Sequence, residues 1–271
     1  MSSIVLSAGV RSNLLQLQQT SDLITSTQTK LATGKRVNSA LDNPNNYFTA
    51  QGLDNRANDL TNLLDSMSTA INTIQAANNG ISAITKLVQS AQSLASQAQQ
   101  TSDTTVRASL ATQFDSIRTQ IDKLAGDSGF NGINLLNGDN LTVTMNETAT
   151  STVTVTGVTD TSNGGLSING STNNWAAASD ITAASTTLTA ALTTLRSQAQ
   201  TLSSSLSTVQ IRQDFTKATI NTLHAGSDAL TLADSNQEGA NLLALQTRQQ
   251  LSTTALSLAS QADQNVLRLF Q

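Results

Sequence analysis

Cysteine is absent from this 271-residue chain, histidine and proline each occur once, aromatics make up 3% and charged residues 12%. Each shortage excludes something. With no Cys and only His224, no disulfide framework, no Cys/His zinc site, and no Cys-based or His-based catalysis is expected. A net charge of -4 whose longest basic run is Lys35-Arg36 argues against nucleic acid, which needs concentrated Lys and Arg to neutralise phosphates. No stretch approaches 18 consecutive apolar residues, so no membrane insertion is expected. The start, Met1-Ser-Ser-Ile-Val-Leu-Ser-Ala-Gly-Val-Arg, has neither a basic region nor an uninterrupted apolar core, so no cleaved secretory signal is expected. What replaces charge is uncharged polarity: Ser, Thr, Asn and Gln make up about 45% of the chain, far above ordinary usage.

One proline leaves long stretches free to be helical. Leu53, Ala57, Leu60, Leu64, Met67, Ile71, Ile74, Asn78 and Ile81 alternate at spacings of four and three, the a/d seam of a coiled coil. After Gly80 the seam rephases through Ile84, Val88, Ala91, Ala95 and Ala98. A matching seam runs through Leu188, Leu192, Leu195, Ala199, Leu202, Leu206, Val209, Gln213, Thr216, Ile220 and Leu223. Between them, Val106, Leu110, Phe114, Ile117, Ile121 and Leu124 share one face of a shorter helix that should end near Gly126. The expected fold is mainly α: an elongated antiparallel coiled-coil bundle with a thin core, plus a small β-hairpin insertion. That insertion is read from Val-Thr alternation at Val143, Met145, Val153 and Val155, with turns at Asn163-Gly164-Gly165 and Asn169-Gly170.

The termini differ from the bundle. Residues 12–29 carry one charge, Asp22, and residues 241–271 carry Arg248, Asp263 and Arg268. A helix facing water usually carries Glu and Lys; one covered in Leu, Ala, Gln, Ser and Thr is suited to be surrounded by protein. The expected assembly surface comprises Leu6, Val10, Leu14, Leu17, Ile24 and Leu31 with Leu242, Leu245, Leu251, Leu256, Leu258, Val266, Leu269 and Phe270. One chain supplies two such ends, too few to bury each other, so other copies should complete the burial. The expected domains are a terminal-helix domain, 1–40 and 230–271, paired apart from the bundle; the helical bundle, 41–137 and 180–229; and a short, β-rich, surface-exposed segment, 138–179.

Three stretches resemble the bacterial flagellins. Leu31-Ala-Thr-Gly-Lys-Arg-Val-Asn-Ser-Ala40 followed by Leu41-Asp42 is similar to that family's N-terminal signature, and Gly129-Phe-Asn-Gly-Ile-Asn-Leu-Leu136 to its turn after the second bundle helix. Leu245-Gln-Thr-Arg-Gln-Gln-Leu251, Ala255-Leu-Ser-Leu-Ala-Ser-Gln261 and Leu267-Arg-Leu-Phe-Gln271 resemble its C-terminal helix, with Ser260 departing from the Asn of the pattern. The resemblance covers roughly 1–137 and 180–271, with a minimal variable region between. It implies a structural, non-enzymatic subunit that polymerises with itself into the extracellular flagellar filament, the propeller for swimming. It also implies export unfolded through the flagellar type III apparatus, a flagellin chaperone, and hook-associated and cap proteins as partners. The alternative is a hook-filament junction protein, which shares the terminal helices without building a filament. No cofactor or metal is implied.

The remaining features are weighed singly. Lys35-Arg36 is read as a turn, with Gly34 as the residue past a helix end, and Asp42-Asn43-Pro44 as the start of the next helix. Asn78 and Gln213 on apolar seams either fix register or are local polarity. His224 has no ligand set at helical spacing. The sequons at Asn140, Asn146 and Asn169 carry no weight, since about six would arise by chance in so Asn- and Thr-rich a chain. Flagellins of the enterobacterial type are sensed by the vertebrate innate flagellin receptor through charged bundle residues; the matching positions here are Ser90, Gln92 and Gln113, none charged, which implies weak sensing.

Overall fold

The computed structural model describes residues 8–269, with backbone alone for 263 and 266–269. Its described elements in chain order are α1 (Ala8–Thr33), α2 (Pro44–Gln100), α3 (Thr104–Asp127), β1 (Leu141–Thr144), β2 (Thr152–Val155), a 3₁₀ turn (Thr172–Trp175), α4 (Ala178–Thr231) and α5 (Ser235–Leu269). The chain divides into two compact units, Met1–Asn55 with Thr222–Gln271, and Arg56–Asn221.

In the second unit the alternating seam is the buried face. Met67, Ile74, Ile81, Val88, Ala91, Ala95 and Ala98 of α2 join one core with Leu110, Phe114 and Ile121 of α3 and Leu188, Leu195, Leu202 and Val209 of α4. Alanine and aliphatic residues far outnumber aromatics, because helices in a narrow bundle leave little width to fill. Gln213 on α4 donates from Nε2 to Ser68 Oγ of α2 at 2.9 Å, so this seam polarity ties two helices. Among the described residues no such bond is seen for the Asn78 side chain. Val106, expected on the buried face of α3, is 45% exposed, and burial on that helix begins at Leu110. Asp103 caps α3, accepting from the backbone N–H of Thr105 and Val106.

The turn after α3 is a tight one. Asn131 and Gly132 take φ of 50° and 80°, and Phe130 pairs with Ile133, the geometry for which an Asn-Gly pair is suited. Asn134 then latches the helix end: its Nδ2 donates to the carbonyls of Ala125 and Gly126, each at 2.8 Å, and its Oδ1 accepts from Leu136 N–H. Of those carbonyls, Ala125 O otherwise has only the 3.4 Å bond from the cap residue Ser128, and both belong to the last turn, where intrahelical donors run out.

β1 and β2 form an antiparallel pair, with Leu141 opposite Val155 and Val143 opposite Val153. Leu141, Val143, Met145 and Val155 are buried while Thr142 and Thr154 face out, the alternation of a half-buried hairpin. Arg56 of α2 meets Glu147 in the hairpin loop. Segment 138–179 holds only this one hairpin; the rest is irregular backbone and the 3₁₀ turn. It also supplies core: Leu166, Ile168 and Trp175 are enclosed, and the Trp175 ring lies 5.0 Å from that of Phe114. Side-chain hydrogen bonds replace regular structure here. Arg118 of α3 donates to Ile168 O and Asn163 Oδ1, Asp115 accepts from Ser171, and Asp122 accepts from Ser162.

Candidate assembly surface

In the first unit α1 packs on α5. The two run antiparallel: Lys30, near the end of α1, lies 3.8 Å from Glu238 in the first turn of α5. The connection between α1 and α2 explains why Lys35-Arg36 stands where it does. Gly34 takes φ +67° past the end of α1, as a residue without Cβ can. Its carbonyl accepts from Ala233, and the next two residues turn onto the end of α4. Arg36 N–H and Val37 N–H donate to Thr231 O, and Arg36 Nη2 donates to Ala229 O at 3.1 Å. Both acceptors are among the last carbonyls of α4, where donors and positive charge are favourable. Asp42 holds the following turn, accepting from the N–H groups of Asn38 and Ser39, which keep its carboxyl below the usual carboxylate range. Asn43 is the cap of α2, accepting from Asn46 N–H, and Pro44 is the first helical residue.

The paired helices leave much apolar surface uncovered. Of the residues expected at the assembly surface, Val10 is buried, and Leu17, Ile24, Leu31, Leu242, Leu245 and Leu256 are half-buried. Leu14, Leu251 and Leu258 are exposed, the last two by 66% and 62%. Leu6 and Phe270 lie outside the described residues, and Val266 and Leu269 have only their backbone described. The expectation omitted Leu15, Leu23 and Leu243, which are 58%, 51% and 67% exposed. Spacing could have found them, because Leu15 and Leu23 lie eight apart and Leu243, Leu251 and Leu258 follow at eight and seven. In the second unit, Ile211 and Phe215 of α4 are 66% and 63% exposed and one helical turn apart.

Several threonine hydroxyls of these helices are satisfied from within. Thr20, Thr25, Thr29 and Thr33 of α1 each donate to the carbonyl four residues earlier, as do Thr247 and Thr254 of α5. A hydroxyl with its own acceptor loses little when water is removed, so these faces can be covered at small desolvation cost.

Other candidate chemistry does not assemble. His224 Nδ1 lies 3.5 Å from Asp54 Oδ1, and Ser227 Oγ donates to Asp54 Oδ2 at 2.9 Å. Both partners address the carboxylate, so the serine is not aligned for proton transfer to the imidazole, as a Ser-His relay requires. No group of metal-binding side chains occurs among the described residues, and no described helix is long and apolar enough to cross a membrane. Ser90 and Gln113 line one shallow polar groove between α2 and α3, with Leu94 and Gln97; Gln92 is not part of it.

The pattern of the bacterial flagellin N-terminal helical region fits residues 8–141, and that of the C-terminal helical region fits residues 179–270. This chain belongs to the bacterial flagellin family. Among its relatives, Flagellin A of Rhizobium meliloti strain 1021 is 42% identical over 65 residues, 24% of this chain and 16% of the relative. Flagellin C of that strain is 38% identical over 65 residues, 24% and 20% of the two chains. Flagellin of Brucella melitensis biotype 1 is 37% identical over 65 residues, 24% and 23%. These aligned stretches therefore span under a quarter of each relative's length. A crystal structure of Bacillus cereus flagellin is similar at a TM-score of 0.48 and 22% identity, over 57% of this chain and 88% of that one.

Proposed function

We propose that this chain is a structural subunit that polymerises with itself into a flagellar filament, through the helices near its two ends. The observation that carries this is the state of α1 and α5: joined to each other, with several threonine hydroxyls bonded within their own helix, yet with Leu15, Leu23, Leu243, Leu251 and Leu258 more than half exposed. Isolated apolar residues on a surface need no explanation, but stripes along paired helices mark a surface that another protein covers. Copies of the same chain present the same stripes, so repeated head-to-tail contacts generate an open helical polymer. On this reading residues 1–40 and 230–271 form the filament core, and 41–137 with 180–229 the bundle around it. Segment 138–179 faces outward on that core. The finished filament lies outside the cell, reached by the flagellar export apparatus with a chaperone, and meets hook-associated and cap proteins at its ends. The role is structural and not enzymatic.

The test is polymerisation. Chains lacking residues 1–11 and 240–271 are expected to remain helical by circular dichroism while failing to elongate onto filament seeds; normal filaments from such chains would refute the assignment to the ends.

A further inference from the structure

Asp160 is a carboxylic residue with 0% of its surface exposed, in a stretch whose backbone is tied to the turn after α3. Its own N–H donates to Leu136 O, and Val158 N–H donates to Leu135 O. Its Oδ1 accepts from Gln198 Nε2 of α4 at 2.8 Å. The other two atoms of this pair, Asp160 Oδ2 and Gln198 Oε1, are both buried and both without a hydrogen-bond partner among the described residues. Both are acceptors. As a carboxylate and an amide, the two groups share one hydrogen bond and leave two lone-pair oxygens facing no donor. Turning the amide over does not help, because it moves the single hydrogen bond to the other carboxylate oxygen and still sets the amide oxygen against a carboxylate oxygen. One proton on Asp160 Oδ2 resolves both: a carboxylic acid and a primary amide form a reciprocal pair, each donating once and accepting once.

We infer that Asp160 is a proton-binding site, and that its protonated form locks the 156–168 stretch to α4 through a two-hydrogen-bond pair with Gln198. Loss of the proton leaves a buried, half-paired charge and loosens that attachment. The charged groups on the surrounding elements do not offset this. Asp122 on α3 is engaged by Ser162, Asp139 ahead of β1 accepts from Asn134 N–H, and Arg196, two residues from Gln198, is exposed. Burial pushes the carboxyl up from 3.8 to about 6, with the Gln198 hydrogen bond opposing it. A small cavity lined by Thr156, Val158, Gln198 and Leu202 lies on the Gln198 side of the pair.

The folded state therefore holds this proton more tightly than the unfolded chain. The stability it contributes is fully present below about pH 4 and is lost as pH rises through about 6. The first measurement is ¹³C NMR of the Asp160 carboxyl in the full monomeric chain from pH 3 to 8, where a midpoint near 6 is expected. A midpoint near 4 would overturn the inference. The second compares urea unfolding of the native chain with Asp160→Asn, which supplies the missing N–H permanently. Between pH 4 and 8 the unfolding constant of the native chain should rise about 100-fold relative to the variant. Parallel pH curves would also overturn it. If Asp160→Asn fails to fold, the NMR midpoint decides alone, because it is read on the native chain.

Discussion

Gly80 stands in the middle of α2, a position where glycine costs a helix about 1 kcal/mol relative to alanine. The reason lies 50 residues away in the chain. A Cβ there would stand 2.3 Å from Ser128 Oγ and 2.7 Å from Leu136 Cδ1, and Leu136 is fully buried and cannot give way easily. Overpacking of this kind costs about 1–3 kcal/mol, enough to cancel or exceed the gain in helix propensity. Gly80→Ala should therefore lower the urea midpoint, and adding Ser128→Gly should recover part of the loss; a midpoint raised by Gly80→Ala alone would show that the turn yields. Asn134 makes the complementary case. It donates to two carbonyls at the end of α3, so Asn134→Ala leaves Gly126 O without that donor and Ala125 O with only the long bond from Ser128 N–H, and should cost about 2 kcal/mol by the same measurement. From the sequence, Gly80 showed only as the place where a seam rephases, and Asn134 as one letter of a familiar turn. Neither role is readable locally, because each depends on a contact that exists only once distant segments have packed.

At the scale of elements, legibility followed periodicity. The long helices were readable because every third or fourth residue reports burial, and the burial along α2 and α4 keeps that alternation from Ala57 to Ile81 and from Leu188 to Leu223. The hairpin was readable because Val143 and Val153 belong to a period of two and pair with each other. The irregular stretch from 156 to 177 has no period, and what orders it is a set of side chains reaching from α3 and α4. Its strangest part is a run of three residues, Asn173, Asn174 and Trp175, with φ between 48° and 58°. For a bulky residue such as Trp this is a strained conformation, held because the ring is fully buried beside Phe114. The strain gives an unusual expectation. Trp175→Ala loses the ring, at about 3–5 kcal/mol, but keeps the Cβ and so keeps the strain. Trp175→Gly loses the same ring and releases the strain, so it should be the less destabilised by about 1 kcal/mol, the reverse of the order in ordinary backbone. Urea midpoints of the two variants compare them directly, and a lower midpoint for the glycine variant would mean the left-handed run is not stressed.

For the molecule as a whole, charge is as sparse along α2 as along α1 and α5, and what marks the latter two is exposed leucine. Among the described side chains, α1 and α5 reach outward with leucine and with hydroxyls that already have acceptors, so their exposed faces resist neither water nor protein strongly. The monomer gains little from those leucines, while an assembly would gain much. Burying a leucine fully contributes about 1.5–3 kcal/mol, and if contacts between copies realise only about 1 kcal/mol at each of Leu15, Leu23, Leu243 and Leu251, the sum is about 4 kcal/mol. That corresponds to roughly a thousandfold in the concentration needed for growth. Replacing all four with Gln should therefore leave the helicity of the monomer unchanged and its unfolding free energy from urea titration within about 0.5 kcal/mol per substitution, as exposed substitutions do, while abolishing elongation onto seeds at concentrations where the native chain elongates. Ile211→Ser with Phe215→Ser is the parallel experiment on the second unit, whose exposed pair on α4 would meet a neighbouring bundle. A smaller rise in critical concentration is expected there, because two side chains are removed and not four. If the quadruple variant elongates normally, the exposed leucines are not where copies meet. If it loses helicity before any assembly is attempted, those leucines are needed by the subunit itself, and the separation between a self-sufficient monomer and an assembly-dependent surface fails.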